Sequence, residues 1–176
     1  GNVIRNFLNG RGFADVYTYS LSDIGEVEIQ NPLASDKSFM RANLTDGVQA
    51  ALIKNTYFAD LLGLSKIQIF EIGKVFKKDR EYNALCIGVA YKKAVKGQSA
   101  VEDIKAIRDE LFATLSSDLK TVCSVDDSGG LLLLGSKQIG MINNADGILE
   151  LDLDAIITEM KNVDLEPLLN RKLGRK

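Results

Sequence analysis

The stretch that most constrains this chain is Lys66 to Phe76, KIQIFEIGKVF, followed after a polar turn by a second apolar run, Tyr82 to Tyr91. Ile67 and Ile69 alternate with Lys66 and Gln68, the period of a half-buried strand, before the run thickens into Phe70, Glu71 and Ile72. Gly73 interrupts it, and a glycine inside an apolar strand marks a bulge or a close backbone approach. Glu71 is the one acid in the middle of the run, so it either faces solvent or has a partner. In the second run Leu85, Ile87, Val89 and Tyr91 share one face, while Ala84, Cys86, Gly88 and Ala90 make the other unusually small. A small face lets a helix pack close. The expected helix is Val101 to Leu115, with apolar residues at helical spacing and a capping-box pattern at Ser99 and Glu102.

Upstream, Val3, Ile4, Phe7 and Leu8 fall on one helical face, with Gly10 and Gly12 as stop and turn. Val16 to Leu21 reads as a strand with Tyr17 and Tyr19 on one face, and Glu26 to Ile29 as a short strand before the Asn31-Pro32 turn. A helix is expected over Thr45 to Leu62, capped by Thr45 and ended at Gly63, with Leu44, Val48, Ala51, Leu52 and Phe58 towards the core. Downstream, short strands are expected at Thr121 to Val125, Leu131 to Leu134, Lys137 to Ile142 and Ile148 to Leu153. Gly135-Ser136 suits a tight hairpin with glycine first, and Asp154 is the expected cap of a last helix ending at Met160. Short connections between neighbouring strands, with helices gathered separately, predict an α+β fold built on an antiparallel sheet.

The chemistry available is narrow. The chain has 176 residues and no histidine, which removes histidine-based nucleophile pairs, general bases and metal sites. Cys86 and Cys123 stand alone in apolar stretches, the setting of buried small hydrophobes in a reducing compartment. Asp126-Asp127 and Asp152/Asp154 lack a second acidic cluster at ligand spacing and suit a loop and a helix cap. Catalytic, cofactor and metal residues are therefore expected to be none. The net charge of −2 gives no overall attraction to nucleic acid. No apolar run reaches membrane-spanning length, so no membrane partner and a cytoplasmic location are expected. One module over residues 1–162 is expected, followed by a basic tail over 163–176. Its Arg171, Lys172, Arg175 and Lys176 suit either a solvated terminus or contact with nucleic-acid phosphates. The abrupt ends set the expectation of a segment from a longer chain.

One ordered series carries a resemblance. Gly12-Phe13-Ala14-Asp15-Val16-Tyr17-Thr18-Tyr19-Ser20, Asn31-Pro32, Phe39-Met40-Arg41-Ala42-Asn43-Leu44, a helix containing Asn55, and Phe70-Glu71-Ile72-Gly73-Lys74-Val75-Phe76 follow one another. In this order they resemble the catalytic-like module of bacterial-type phenylalanyl-tRNA synthetase β subunits. The resemblance covers roughly Ile4 to Met160 and thins after Phe76. It implies a class II aminoacyl-tRNA synthetase-like antiparallel sheet flanked by helices, without the catalytic residues. Such a module pairs with the α subunit, which performs the chemistry. ATP and magnesium belong to the holoenzyme, and tRNA is met through it.

The resemblance can be tested for catalytic competence. A working core needs a motif 2 Arg-x-Glu and a motif 3 arginine for the ATP phosphates. Here no arginine lies between Arg41 and Arg80 or between Arg108 and Arg171. The segment is therefore expected to be inactive by itself. The motif-2-like strand is represented by Phe70, Glu71 and Gly73. The resemblance to class II motif 1 implies a partner interface at Phe7, Phe13, Tyr17, Tyr19 and Arg41, since aromatic residues and arginine dominate interface energetics. For Arg41 a surface ion pair is the competing reading, and for the aromatics plain core. A free-standing paralogue acting as a regulatory or binding module is one alternative. An unfamiliar activity using Glu71 and a nearby carboxylate is another, and it predicts a concave pocket around Glu71.

Overall fold

The computed structural model describes residues 2–32, 37–93, 96–115, 123–126, 130–143 and 146–160. Helix α1 (Asn2–Gly10) is followed by four two-residue strands, β1 (Ala14–Asp15), β2 (Leu21–Ser22), β3 (Val27–Glu28) and β4 (Phe39–Met40). Helix α2 (Thr45–Tyr57) runs into a 3₁₀ turn at Ala59–Leu62 and then the long pair β5 (Lys66–Phe76) and β6 (Glu81–Tyr91). After α3 (Ala100–Leu115) come β7 (Cys123–Asp126), β8 (Leu131–Leu134), β9 (Lys137–Asn143) and β10 (Ile148–Asp152). A last helix, α4, occupies 153–160. The expected basic tail lies outside the described residues.

The main sheet has the order β1-β5-β6-β10-β9-β8-β7. All its pairings are antiparallel except β1 with β5, which is parallel, so the expected antiparallel sheet carries one parallel edge. Strands β2, β4 and β3 form a separate small sheet. The α+β class holds. Gly135 has a φ of 64° at the first position of the β8–β9 turn, as a glycine-first hairpin requires.

The two faces of the sheet bury different cores. Phe70, Leu85, Ile87 and Val89 join Ile4, Leu8 and Phe13 of the α1 region, Ile104, Ile107, Leu111 and Phe112 of α3, and Ala155 and Ile156 of α4. Ile67, Ile69, Val75, Ala84, Cys86 and Ile148 pack on the other side with Leu44, Val48 and Leu52. The helix that covers the small-residue face is therefore α2, not α3. The reason is Gly88, where a Cβ would lie 2.6 Å from Leu52 Cδ1 and 3.0 Å from Val48 Cγ1. Helix α3 meets the large-residue face instead, and Glu102 N–H donates to its expected cap, Ser99 Oγ, at 3.4 Å.

Two further expectations change. The strand expected over Val16 to Leu21 stops almost at once. Val16 N–H still donates to Phe70 O at 2.8 Å, but Thr18 N–H turns to the Glu71 carboxylate, and a side-chain acceptor ends the ladder. Phe58 is half exposed and not core, because the helix gives way to a 3₁₀ turn after Tyr57 and the buried position passes to Ala59. Gly63 then closes the turn in the left-handed region at φ 64°.

Candidate functional site

The sequence motifs converge on one buried polar knot. Glu71 is only 2% exposed and sits on the α2 side of β5. Arg41 lies beside it, with Nη1 donating to Glu71 Oε1 at 2.7 Å and Nε donating to Lys74 O at 2.8 Å. Thr18 closes the arrangement. Its hydroxyl donates to Glu71 Oε2 at 2.7 Å, its N–H reaches the same oxygen at 3.2 Å, and its Oγ1 accepts from Arg41 Nη1 at 3.3 Å. The backbone of Arg41 adds two bonds, N–H to Ser20 O at 2.9 Å and its carbonyl accepting from Phe76 N–H at 3.1 Å.

A buried ion pair gains when its remaining donors and acceptors are also hydrogen-bonded, and here Arg41 Nε, Arg41 Nη1 and both Glu71 oxygens are. Gly73 is the enabling residue. A Cβ there would lie 2.3 Å from Arg41 Nη2, so the glycine in the motif is a close approach and not a bulge. Gly47 does the same for Thr18, since its Cβ would lie 2.5 Å from Thr18 Oγ1. The knot therefore ties the Thr18–Ser20 segment, the entry to α2 and the second half of β5 into one unit. Arg41 does form an ion pair, but a buried one and not the surface pair of the competing reading.

A second acid does comparable work. Glu150 reaches from β10 to the start of α2, where Oε2 accepts from Leu44 N–H at 3.0 Å, Thr45 N–H at 2.9 Å and Thr45 Oγ1 at 2.6 Å. Thr45 is thus the first helical residue and a donor to the cap, while Leu44 occupies the cap position without a side-chain bond. A carboxylate over orphan N–H groups and the positive helix end is favourable. At α4, Asp152 and not Asp154 bonds the helix start, its Oδ1 accepting from Ala155 N–H at 2.8 Å, while Asp154 accepts from Asn83 N–H at 2.9 Å.

Cys86 lies under α2 near Glu150. Burial pushes its thiol well above the ordinary 9.0, and the Glu150 charge adds to this. A raised folded pKa means that this contribution to stability is fully present below about pH 9 and is lost as pH rises beyond it. Burial pushes the Cys123 thiol up as well, but less completely, so at pH 8 a thiol reagent is expected to modify half-buried Cys123 faster than Cys86, which reacts only as fast as the whole fold opens. Equal rates, followed by mass spectrometry, would refute the placement of Cys86.

The remaining expected interface residues divide. Phe13 belongs to the core, and Phe7 packs partly against it beneath Arg11, whose Cζ lies 5.1 Å from the ring centroid. Phe70 is fully buried on the α3 face. Tyr17 and Tyr19 are 75% and 78% exposed, projecting on either side of the anchored Thr18. With Arg41, Gly47 and Lys54 they line an open groove of about 390 Å³. Thr18 stands in the ordered series that carries the resemblance but no role was expected of it, and Glu150 was not singled out, since a lone glutamate in a strand carries no local signal. Both carboxylate oxygens of Glu71 accept hydrogen bonds within the knot, from Arg41 Nη1 and from Thr18. Among the described residues no group of three or more Cys, Asp or Glu is placed to hold a metal ion, and no helix is long and apolar enough to cross a membrane.

A sequence model of the family described as the phenylalanyl tRNA synthetase beta chain CLM domain matches residues 1–128. The chain belongs to that family. Over 175 residues it is 28% identical to the phenylalanine–tRNA ligase beta subunit of Xylella fastidiosa, covering 86% of this chain and 21% of that protein. It is 39% identical over 83 residues to the corresponding subunit of Prochlorococcus marinus, covering 44% of this chain and 10% of that one. The Dehalococcoides mccartyi subunit is 25% identical over 98% of this chain and 24% of its own length. The chain thus spans about a tenth to a quarter of the curated relatives it matches. Among solved structures, apo histidyl-tRNA synthetase from S. aureus is similar over 64% of this chain and 29% of that one, at 13% identity and a TM-score of 0.48. A likeness that slight carries no argument. Of the residues in the ordered series quoted from the sequence, the structure brings together Thr18, Arg41, Glu71 and Gly73.

Proposed function

We propose that this chain is the structural, non-catalytic core of a phenylalanine-tRNA ligase β subunit. It pairs with the α subunit and supports ATP-dependent charging of tRNA with phenylalanine in the cytoplasm. The observation that carries this reading is the Arg41–Glu71–Thr18 knot. The arginine and the acid of the family motifs are both engaged in holding the Tyr17–Tyr19 segment against the sheet, with two aromatic side chains outward. Rigid presentation of exposed aromatics suits a protein partner. ATP, magnesium and tRNA then engage the holoenzyme, and this chain contributes shape.

The test is co-purification with the cognate α subunit, read by size-exclusion chromatography with light scattering and by phenylalanine-dependent ATP–pyrophosphate exchange. A stoichiometric complex more active than α alone is expected. Replacing both Tyr17 and Tyr19 by alanine should weaken it at least about tenfold, a loss of about 1.4 kcal/mol, with an unchanged melting temperature. A chain that ignores α at micromolar concentration would overturn the reading in favour of a free-standing paralogue.

A further inference from the structure

Glu150 and Asp152 stand two apart on β10, so they share one face of the sheet. With Arg80, Tyr82 and Met141 they line a cavity of about 490 Å³ beside the head of α2. Each acid commits one oxygen to the fold. Asp152 Oδ1 bonds the start of α4, and Glu150 Oε2 takes all three donors at the start of α2. The second oxygen of each is left over. Asp152 is 8% exposed, and its buried Oδ2 has no hydrogen-bond donor among the described residues. A carboxylate oxygen in that condition is costly until a donor reaches it.

One side chain shows what such a site accepts. The Arg80 guanidinium lies over the Tyr82 ring, 4.3 Å from its centroid, with Nη2 2.8 Å from Asp152 Oδ2. The contact sets charge against charge without an N–H aligned on the oxygen. Arg80 comes from the turn before β6 and is half exposed, so little is lost when it swings to the rim. Lys77, the other cation at the cavity, is held by Glu26 at 3.0 Å, while Asp46 adds a third acid to the lining. Burial pushes the Tyr82 phenol up, and the Glu150 and Asp152 charges add to this, which marks both acids as neighbours of the ring. Among the described residues the acids are not gathered closely enough for a metal ion, whereas a flat organic cation needs only a ring and one or two carboxylate oxygens. We propose that this cavity binds an alkylguanidinium, whose head group stacks on Tyr82 in place of Arg80 and donates to Asp152 Oδ2 and Glu150 Oε1. The alkyl stem lies along Met141, which pairs directly with Glu150 across β9 and β10. Neither Tyr17 nor Tyr19 lines the cavity, and the proposal does not rest on the function proposed above.

Isothermal titration of the 176-residue chain with n-butylguanidinium tests it, with n-butanoate as a stem of opposite charge. One saturable site with a dissociation constant of about 1 mM is expected for the cation, and none for the anion. Arg80→Ala removes the internal competitor and should tighten binding about tenfold. Asp152→Asn keeps an oxygen for Ala155 N–H but loses the charge, and should weaken binding at least about tenfold. Tyr82→Leu should weaken it about fivefold through the lost ring, a readout that stands even where Asp152→Asn fails to fold. A parent and an Arg80→Ala chain that both fail to saturate, or butanoate bound as well as the cation, would overturn the proposal. So would affinity indifferent to Asp152→Asn and Tyr82→Leu. Unchanged affinity in Arg80→Ala would make Arg80 a fixed structural partner of Asp152 and overturn it too.

Discussion

Arg41→Ala should destabilise the fold by about 3–5 kcal/mol, because it strands a carboxylate that is 2% exposed. Against the roughly 5–15 kcal/mol of an ordinary domain this is a fifth or more of the total. Glu71→Ala should be as severe, leaving a guanidinium 10% exposed with its acid gone. Replacing both by apolar residues of similar volume, Arg41→Met with Glu71→Leu, should recover most of the loss, since neither charge then needs a partner. Thr18 would still lose two bonds to the carboxylate, so recovery should stop short by about 1–2 kcal/mol. Urea unfolding followed by circular dichroism measures the parent and these three variants. Single variants within about 0.5 kcal/mol of the parent would mean that the pair is solvated in solution and ties nothing together.

The second large effect is expected at Gly88. Its added Cβ would meet Leu52 Cδ1 at 2.6 Å and Val48 Cγ1 at 3.0 Å, and both of those side chains are buried. Gly88→Ala should therefore cost about 1–3 kcal/mol through overpacking, despite the better strand propensity of alanine. Gly88→Val should exceed it. Leu52→Val lowers stability alone but should reduce the penalty of Gly88→Ala, a non-additivity of about 1 kcal/mol read in the same denaturation assay. Strict additivity would show that α2 does not rest on this strand.

Much of this was legible in the residues. The long strands, the glycine-first hairpin and the core positions Val48 and Leu52 follow from period and turn chemistry that act over a few residues. Gly73 was read as a bulge or a close approach, and the structure chose the approach. What failed was assignment across distance. Periodicity says that a helix has an apolar face but not which side of a sheet it meets, so α2 and α3 were exchanged over the small-residue face. By its sequence Glu71 either faces solvent or has a partner, and nothing local decides, because its two partners lie 30 and 53 residues earlier in the chain. The strand expected at Val16 to Leu21 failed for the same reason. Alternation predicted a ladder, while Thr18 found a carboxylate that no local window contains.

The Glu150 cap has a consequence for how the polypeptide is made. The donors at the head of α2 wait for an acid 105 residues downstream. At about 5–20 residues per second of synthesis, that is an interval of roughly 5–20 seconds. During it α2 has emerged with its sheet-facing leucines and valine already available, and Asp46 N–H can bond Asn43 Oδ1, but the Leu44 and Thr45 N–H groups have only water to bond. Completion of the α2 cap is thus postponed until β10 leaves the ribosome, and a nascent chain halted before Glu150 carries α2 with the first N–H groups of its sheet-packing helix uncapped.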